Sequence, residues 1–151
     1  MPNPSRGADL FYRGLYAGIS EAAAIMGFSR QYVSYNYSVL PWLRAPLGYL
    51  SPDGEHWPYW FRRDVVADAR SRGMIVNELS TADDVQLWEY NYTGRVITAN
   101  GFARLCGVGG NNVHLTARER LQAAPADTLK MGAVWREDDV LAALKTAQES
   151  V

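Results

Sequence analysis

One short pattern occurs twice in this chain, and it limits the folds that the sequence can adopt. A tryptophan with aspartate four residues later and valine five residues later is found at Trp60 and again at Trp135. A second pair of similar segments, residues 20–29 and 100–109, lies upstream of the two tryptophans in the same order. The offset is 80 residues at the upstream match and 75 at the tryptophans, so the first copy should contain a loop about five residues longer. Because a repeated segment usually forms one structural unit per copy, we expect two similar units in tandem.

The first copy predicts a helix, a tight turn and a second helix. Ser20 is expected to cap the first helix, and Gly27 stands where a left-handed C-cap is needed. Ser29 is expected to cap the second helix, which should run to about Tyr37, with Val33 as its core anchor. Pro41 prevents that helix from continuing.

The segment 42–60 is rich in proline and glycine and predicts a short β-hairpin. Residues 51–54, Ser-Pro-Asp-Gly, form a turn signal between two apolar stretches. We expect this hairpin to be a wing beside the two helices. The three tryptophans of the segment are expected to pack in the wing and the core: Trp42, Trp57 and Trp60.

The second copy follows the same plan with weaker signals. Thr98 should cap its first helix, Gly107 should end it, and another helix is expected from about Asn111 to Gln122. A turn at residues 130–133 then leads to Trp135 and the last helix.

Between the copies, residues 80–83 resemble a capping box that would open a short helix through Trp88. The expected fold is therefore mainly α with small β wings. The expected divisions are a first winged helix-turn-helix unit over 1–72, a connector over 73–95 and a second such unit over 96–151.

The segment 20–33, SEAAAIMGFSRQYV, resembles the helix-turn-helix of MerR-like and phage excisionase-type winged domains. In that family a capped, alanine-bearing helix, a glycine and a hydrophobic residue precede Ser-Arg-Gln-x-Val, and a tryptophan follows the wing. The resemblance covers most of residues 18–72 and, less closely, about 97–147. The second copy departs from the pattern, because Gly109 and Gly110 replace Ser-Arg. The resemblance implies DNA binding without specifying a biological role.

Duplex DNA is read by placing the N-terminal part of a recognition helix in the major groove. The positions of the first copy that would face base edges are Arg30, Gln31, Ser34, Tyr35 and Asn36. Arginine pairs with guanine, and glutamine or asparagine pairs with adenine. The alternative is that Arg30 and Gln31 are ordinary solvated residues with no role in binding.

Three further arginines of the first copy are candidates for phosphate contacts. Arg44 would act from the wing, and Arg62 and Arg63 from the start of the following helix. An equally good interpretation is that Arg62 and Arg63 are ordinary surface charges. In the second copy the candidate DNA-contacting residues are Asn111, Asn112, His114, Thr116 and Arg118. That copy is either a second reader or a degenerate copy kept for packing, and we favour a reader.

Catalysis is not expected, and neither a cofactor nor a metal is predicted. The chain has two histidines, neither close in sequence to its single cysteine, Cys106, and it has no metal-ligand spacing. Phosphate-loop and dinucleotide patterns are missing. Cys106 is expected to be a buried small hydrophobe.

The charge distribution permits DNA binding but does not indicate it. Residues 1–72 carry 8 positive and 6 negative charges, residues 73–95 carry 1 and 4, and residues 96–151 carry 6 and 6. The phosphate contribution to affinity should therefore be modest. No secretory leader or membrane span is evident, so a cytoplasmic protein without membrane contact is expected.

The sequence favours a transcriptional repressor of a phage or mobile element that reads an asymmetric duplex site as a monomer or weak oligomer. One alternative is an excisionase that bends DNA and works beside an integrase or another DNA-bound protein. A second is an assembly protein similar to a terminase small subunit, and a third is a protein-interaction module that no longer binds DNA.

Overall fold

The computed structural model of the protein describes residues 14–51, 53–76, 85–106 and 124–149. These residues form two small three-stranded antiparallel sheets with helices packed on them, a mixed α/β fold. The first unit, residues 14–76, contains β1 (Tyr16–Ala17), α1 (Ile19–Met26), α2 (Arg30–Asn36), a 3-10 turn (Tyr37–Val39), β2 (Gly48–Tyr49), β3 (Pro58–Phe61) and α3 (Arg62–Ser71). The second unit contains β4 (Val96–Thr98), α4 (Ala99–Leu105), β5 (Asp127–Leu129), β6 (Gly132–Arg136) and α5 (Glu137–Glu149).

The two sheets share one topology. Their strand orders are β1-β3-β2 and β4-β6-β5, so the last strand of each unit lies in the middle. Ala17 pairs with Trp60 in the first sheet, and Ile97 pairs with Trp135 in the second. The residues that match at offsets of 80 and 75 in the sequence thus occupy the same positions of the same topology.

The hairpin turns account for most of the difference in length. In the first unit, the Leu50 N–H donates to the Trp57 carbonyl across a turn of residues 51–56. In the second, Leu129 pairs with Gly132 across residues 130–131. Four of the roughly five extra residues of the first copy therefore lie in its hairpin turn.

The helix-turn-helix of the first unit follows from its caps. Gly27 ends α1 in the left-handed conformation, with φ 74°, and Ser29 caps α2 by accepting a bond from the Tyr32 N–H at 3.1 Å. Both predictions are confirmed, whereas the prediction that Ser20 caps α1 is wrong. The cap is Gly18, whose N–H donates to the Glu21 carboxylate at 3.0 Å, because the helix already begins at Ile19.

Each unit buries one face of its sheet under its own helices. In the first unit Ala17 and Trp60 point to this side, where they pack with α1 and with Val33 of α2. In the second unit Ile97 and Trp135 occupy the equivalent side. The indole N–H of Trp60 also donates to the Arg44 carbonyl at 2.9 Å.

The opposite faces of the two sheets pack against each other and form a joint core. Because side chains alternate along a strand, Tyr59 and Phe61 point away from Trp60. They lie in one cluster with Tyr16 of the first unit and with Val96 and Val134 of the second. All four residues of β3 are buried for this reason.

Buried polar contacts fix the joint core in register. The Asp127 carboxylate, fully buried, accepts bonds from the Leu15 and Tyr16 N–H groups, both at 2.8 Å. At the first hairpin turn, the guanidinium of Arg95, which directly precedes β4, donates to the Ser51 carbonyl at 3.1 Å. The hairpin of each unit thus contacts the start of the other unit's first strand.

The connector differs from the prediction. Residues 77–84, which include the whole of the expected capping box, lie outside the described residues, and Val85 and Gln86 are not helical. A 3-10 helix begins only at Leu87 and ends at Asn91, with the Gln86 N–H bonded to the Glu89 carboxylate at 2.7 Å. Glu89 is also paired with the buried Arg136 guanidinium, so the connector is anchored on β6.

Candidate nucleic-acid interface

Helix α2 presents nearly all of its side chains to solvent. Of its seven residues, Val33 alone is buried. The predicted base-reading residues Arg30, Gln31, Ser34 and Tyr35 are exposed, Tyr35 to 75 %. The helix is therefore held by one apolar anchor, by its Ser29 cap and by the turn from α1.

Two of the tyrosines on this helix are placed differently. Tyr32 is 42 % exposed, and its ring lies 4.7 Å from that of Phe28. Tyr35 projects from the exposed face with Arg30 and Gln31. Asn36 is half-buried, and its amide donates to the Tyr32 carbonyl at 2.8 Å, so this amide bonds the helix itself.

Arg44 is tied to the scaffold. Its guanidinium forms a two-pronged contact with Asp68, at 2.9 and 2.8 Å, and lies 3.3 Å from Asp64. The hydrogen bond to Asp68 raises the pKa of Arg44 and, in turn, lowers the pKa of that carboxyl. The Arg44 guanidinium was expected to contact a phosphate. It instead joins the segment before β2 to α3.

The prediction of a phosphate contact by Arg62 is wrong. This side chain is 1 % exposed, because it follows β3 directly and is covered where the two units meet. Burial lowers the pKa of Arg62, and the charge of Asp127 acts in the opposite direction. Arg63 is half-exposed, but its guanidinium lies 3.5 Å above the Tyr90 ring and 3.6 Å from Asp64.

The remaining candidates fall outside the described residues. These are the second-copy residues Asn111, Asn112, His114, Thr116 and Arg118, with Gly107 and the helix predicted around them. Thr98 does precede α4 at the cap position, although its side chain forms no capping bond. Cys106 is half-buried against Phe102 and Trp135, and burial raises the pKa of its thiol.

Trp57, one of the three tryptophans expected to pack in the wing and the core, lies largely at the surface of the first hairpin. It is 41 % exposed and has a left-handed backbone, φ 64°, which is uncommon for a residue other than glycine. The equivalent position of the second hairpin is Gly132, also with a positive φ. Trp42 and Trp60 pack in the first core as predicted.

A groove of about 200 Å³ lies beside α2 and was not predicted from the sequence. It is lined by residues from both units, and we call it the junction groove: Gly18, Ile19, Ser20, Glu21, Arg30, Leu50, Trp57, Pro58 and Met131. Met131 belongs to the two-residue turn of the second hairpin, and no local signal links that turn to α2.

The described residues hold no group of three or more His, Cys, Asp or Glu side chains that could bind a metal ion. In the same ranges, no helix is both long and apolar enough to cross a membrane. A comparison with family models, with curated proteins and with solved structures finds no match to the chain.

Proposed function

We propose that the protein binds duplex DNA sequence-specifically, with α2 as its recognition helix. The observation that carries the proposal is the exposure of this helix, which follows a tight turn from α1 and buries Val33 alone. A helix that served only to pack would bury a stripe of residues along one side. The helix, the turn and the adjoining hairpin together resemble a winged helix-turn-helix unit, and we propose that the second unit is a tandem copy of that plan.

The residues on the exposed side have the chemistry for base recognition. Arg30 and Gln31 stand at the start of α2, where a helix in the major groove meets base edges. Arginine can bond guanine with two hydrogen bonds, and glutamine can do the same with adenine. Ser34 and Tyr35 follow one turn later on the exposed helix.

The scaffold favours an asymmetric site. The joint core holds the two units in one fixed arrangement, and their hairpin turns have different lengths. Two non-identical surfaces in one rigid chain would contact two different stretches of DNA without a second subunit. Repression in a phage or mobile element is the role that we propose, since blocking a promoter requires binding alone.

The electrostatic contribution should be small. Arg44 is engaged with Asp64 and Asp68, Arg62 is buried, and Arg63 packs on Tyr90. Since the three arginines predicted to contact phosphates are paired or buried within the fold, affinity should fall only gently with rising salt concentration. Recognition then depends mainly on base contacts and on shape.

The test is a selection of bound duplexes from a random pool, followed by titration of the wild type and two variants. Arg30→Ala should weaken binding to the selected duplex by about 1–3 kcal/mol, because one two-bond base contact is lost. Arg104→Ala, which removes an exposed arginine from α4, is the matched control and should change affinity little. Failure to enrich any sequence, or equal effects of the two variants, would remove the basis of the proposal.

A further inference from the structure

We propose that the turn of the second hairpin, Lys130–Met131, joins Trp57 in a single contact with the sugar–phosphate backbone of duplex DNA, beside the bases that Arg30 reads. The inference rests on the proposed function and adds a binding element that α2 and its own wing do not contain. It assigns the junction groove to the backbone strand that flanks the recognition helix.

The turn is held beside the helix-turn-helix by a specific bond. The Lys130 N–H donates to the Glu21 carboxylate at 2.7 Å, and Glu21 lies in the first turn of α1. The other oxygen of Glu21 accepts from the Gly18 N–H. Both carboxylate oxygens therefore bond backbone groups, and the side chain is 8 % exposed, which limits its repulsion of an approaching phosphate.

The exposed groups around the groove suit a sugar–phosphate strand. Arg30 lines the groove from α2, and the Lys130 side chain is exposed on the turn. Trp57, 41 % exposed, and Met131, 49 % exposed, line the groove as well. A lysine next to these apolar side chains matches a phosphate next to a deoxyribose ring.

The size of the groove argues against an enclosed small molecule. Its volume of about 200 Å³ is below the range of roughly 300–1,000 Å³ typical of ligand pockets. A flat indole and a methionine at an open surface can instead pack against a sugar ring.

The backbone of Trp57 supports a role in binding. The second hairpin has glycine at the equivalent position, where a positive φ carries no steric penalty. The first hairpin retains a large aromatic residue in a conformation that disfavours it, and leaves much of that residue exposed. Strained residues of this kind cluster at binding sites.

The experiment compares two duplexes of equal length, the one selected from the random pool and one of random sequence. Lys130→Gln should weaken binding to both by a similar factor, about threefold to tenfold at low salt, and reduce the salt slope by about one charge. Lys145→Gln removes an exposed lysine from α5 and serves as the matched control. Arg30→Ala should weaken chiefly the selected duplex, since a base contact is specific to sequence.

Trp57→Gly separates binding from folding. Glycine relieves the unfavourable backbone conformation, so the melting temperature should change little, while affinity for both duplexes falls about tenfold through the lost apolar contact. Unchanged affinity in this variant, or equal effects of Lys130→Gln and Lys145→Gln, would overturn the inference. If Arg30→Ala has no effect on the selected duplex, the proposed function itself fails, whatever the other variants show.

Discussion

The two units share a sheet topology but fill their helical layers in different ways. In the first unit, Ala22, Ala23, Ile25 and Met26 of α1 are all buried. In the second, Phe102 is the buried residue of α4, and its ring meets that of Trp135 edge-on at 4.9 Å. The large side chain of Phe102, at the position equivalent to Ala22, thus fills the space that several smaller side chains fill in the first unit. The sheet and its tryptophan therefore define this architecture, while the helical layer tolerates different packing.

The two hairpins differ in the length and the chemistry of their turns. The longer turn of the first unit has an acidic, hydrogen-bonded tip and is followed by Trp57, whereas the second turn is reduced to Lys130 and Met131. The joint core brings the shorter turn next to α1 of the other unit. Unequal hairpins on matched sheets therefore place two different surfaces beside α1 and α2.

The largest effect should come from removing either tryptophan. Trp60→Ala and Trp135→Ala should each lower the free energy of unfolding by about 3–5 kcal/mol, since both side chains are 1 % exposed and their loss leaves a large cavity. Urea titration of each variant, followed by far-UV circular dichroism, measures this. Tyr35→Ala, at a 75 % exposed position, should stay within about 0.5 kcal/mol.

The same titrations test whether the units unfold together. Because the joint core contains residues of both, we expect one cooperative transition in each variant. Two separate transitions, or a first unit that is indifferent to Trp135→Ala, would contradict that expectation.

A smaller effect is expected from Asp127→Ala at the contact between the units. This change leaves the Leu15 and Tyr16 N–H groups without their acceptor and removes a negative charge that acts on Arg62. Unfolding free energy should fall by about 2–4 kcal/mol. Glu55→Ala, at an exposed position of the first hairpin turn, is the control. Similar values for the two variants in the same urea assay would show that the buried carboxylate does not hold the units together.

The smallest effect concerns the tip of the first hairpin. Hydrogen bonds from the Ser51 hydroxyl and then from the Glu55 N–H lower the pKa of Asp53 to about 2. A carboxyl whose pKa is lowered in the folded state stabilises the fold above its ordinary pKa, near 4, and loses this contribution as the pH falls toward 2.

Carbon-detected NMR titration of the Asp53 carboxyl measures this pKa. Ser51→Ala should return it toward the ordinary value, since the largest cause of the shift is removed. The second hairpin has no counterpart of this acid-sensitive tip in its two-residue turn. An ordinary pKa for Asp53 in the wild type would show that the bonds at the tip do not persist in solution.

Local signals predicted much of the first unit. The matched tryptophans, the Ser29 cap, the C-cap at Gly27 and the hairpin turn at residues 51–54 all reflect chemistry within a few residues along the chain. The exposed side of α2 followed from the single apolar residue, Val33, among polar neighbours. The cap of α1 was misplaced by two residues, because Gly18 works through Glu21, whereas Ser20 has the more familiar capping side chain.

The sequence alone determined that one structural unit is repeated, where a tryptophan recurs in each copy and that Val33 anchors α2, since spacing and capping are local properties. It did not predict the first strands, β1 and β4, or the strand order of the sheets. The tertiary structure alone decided which sheet faces meet. That contact buries Arg62 near Asp127, a residue far along the chain, and it leaves Trp57 exposed beside a turn of the other unit. Whether a side chain is buried depends on the surface that covers it. For residues at the contact between the units, the covering surface comes from the other copy, so no local pattern encodes it.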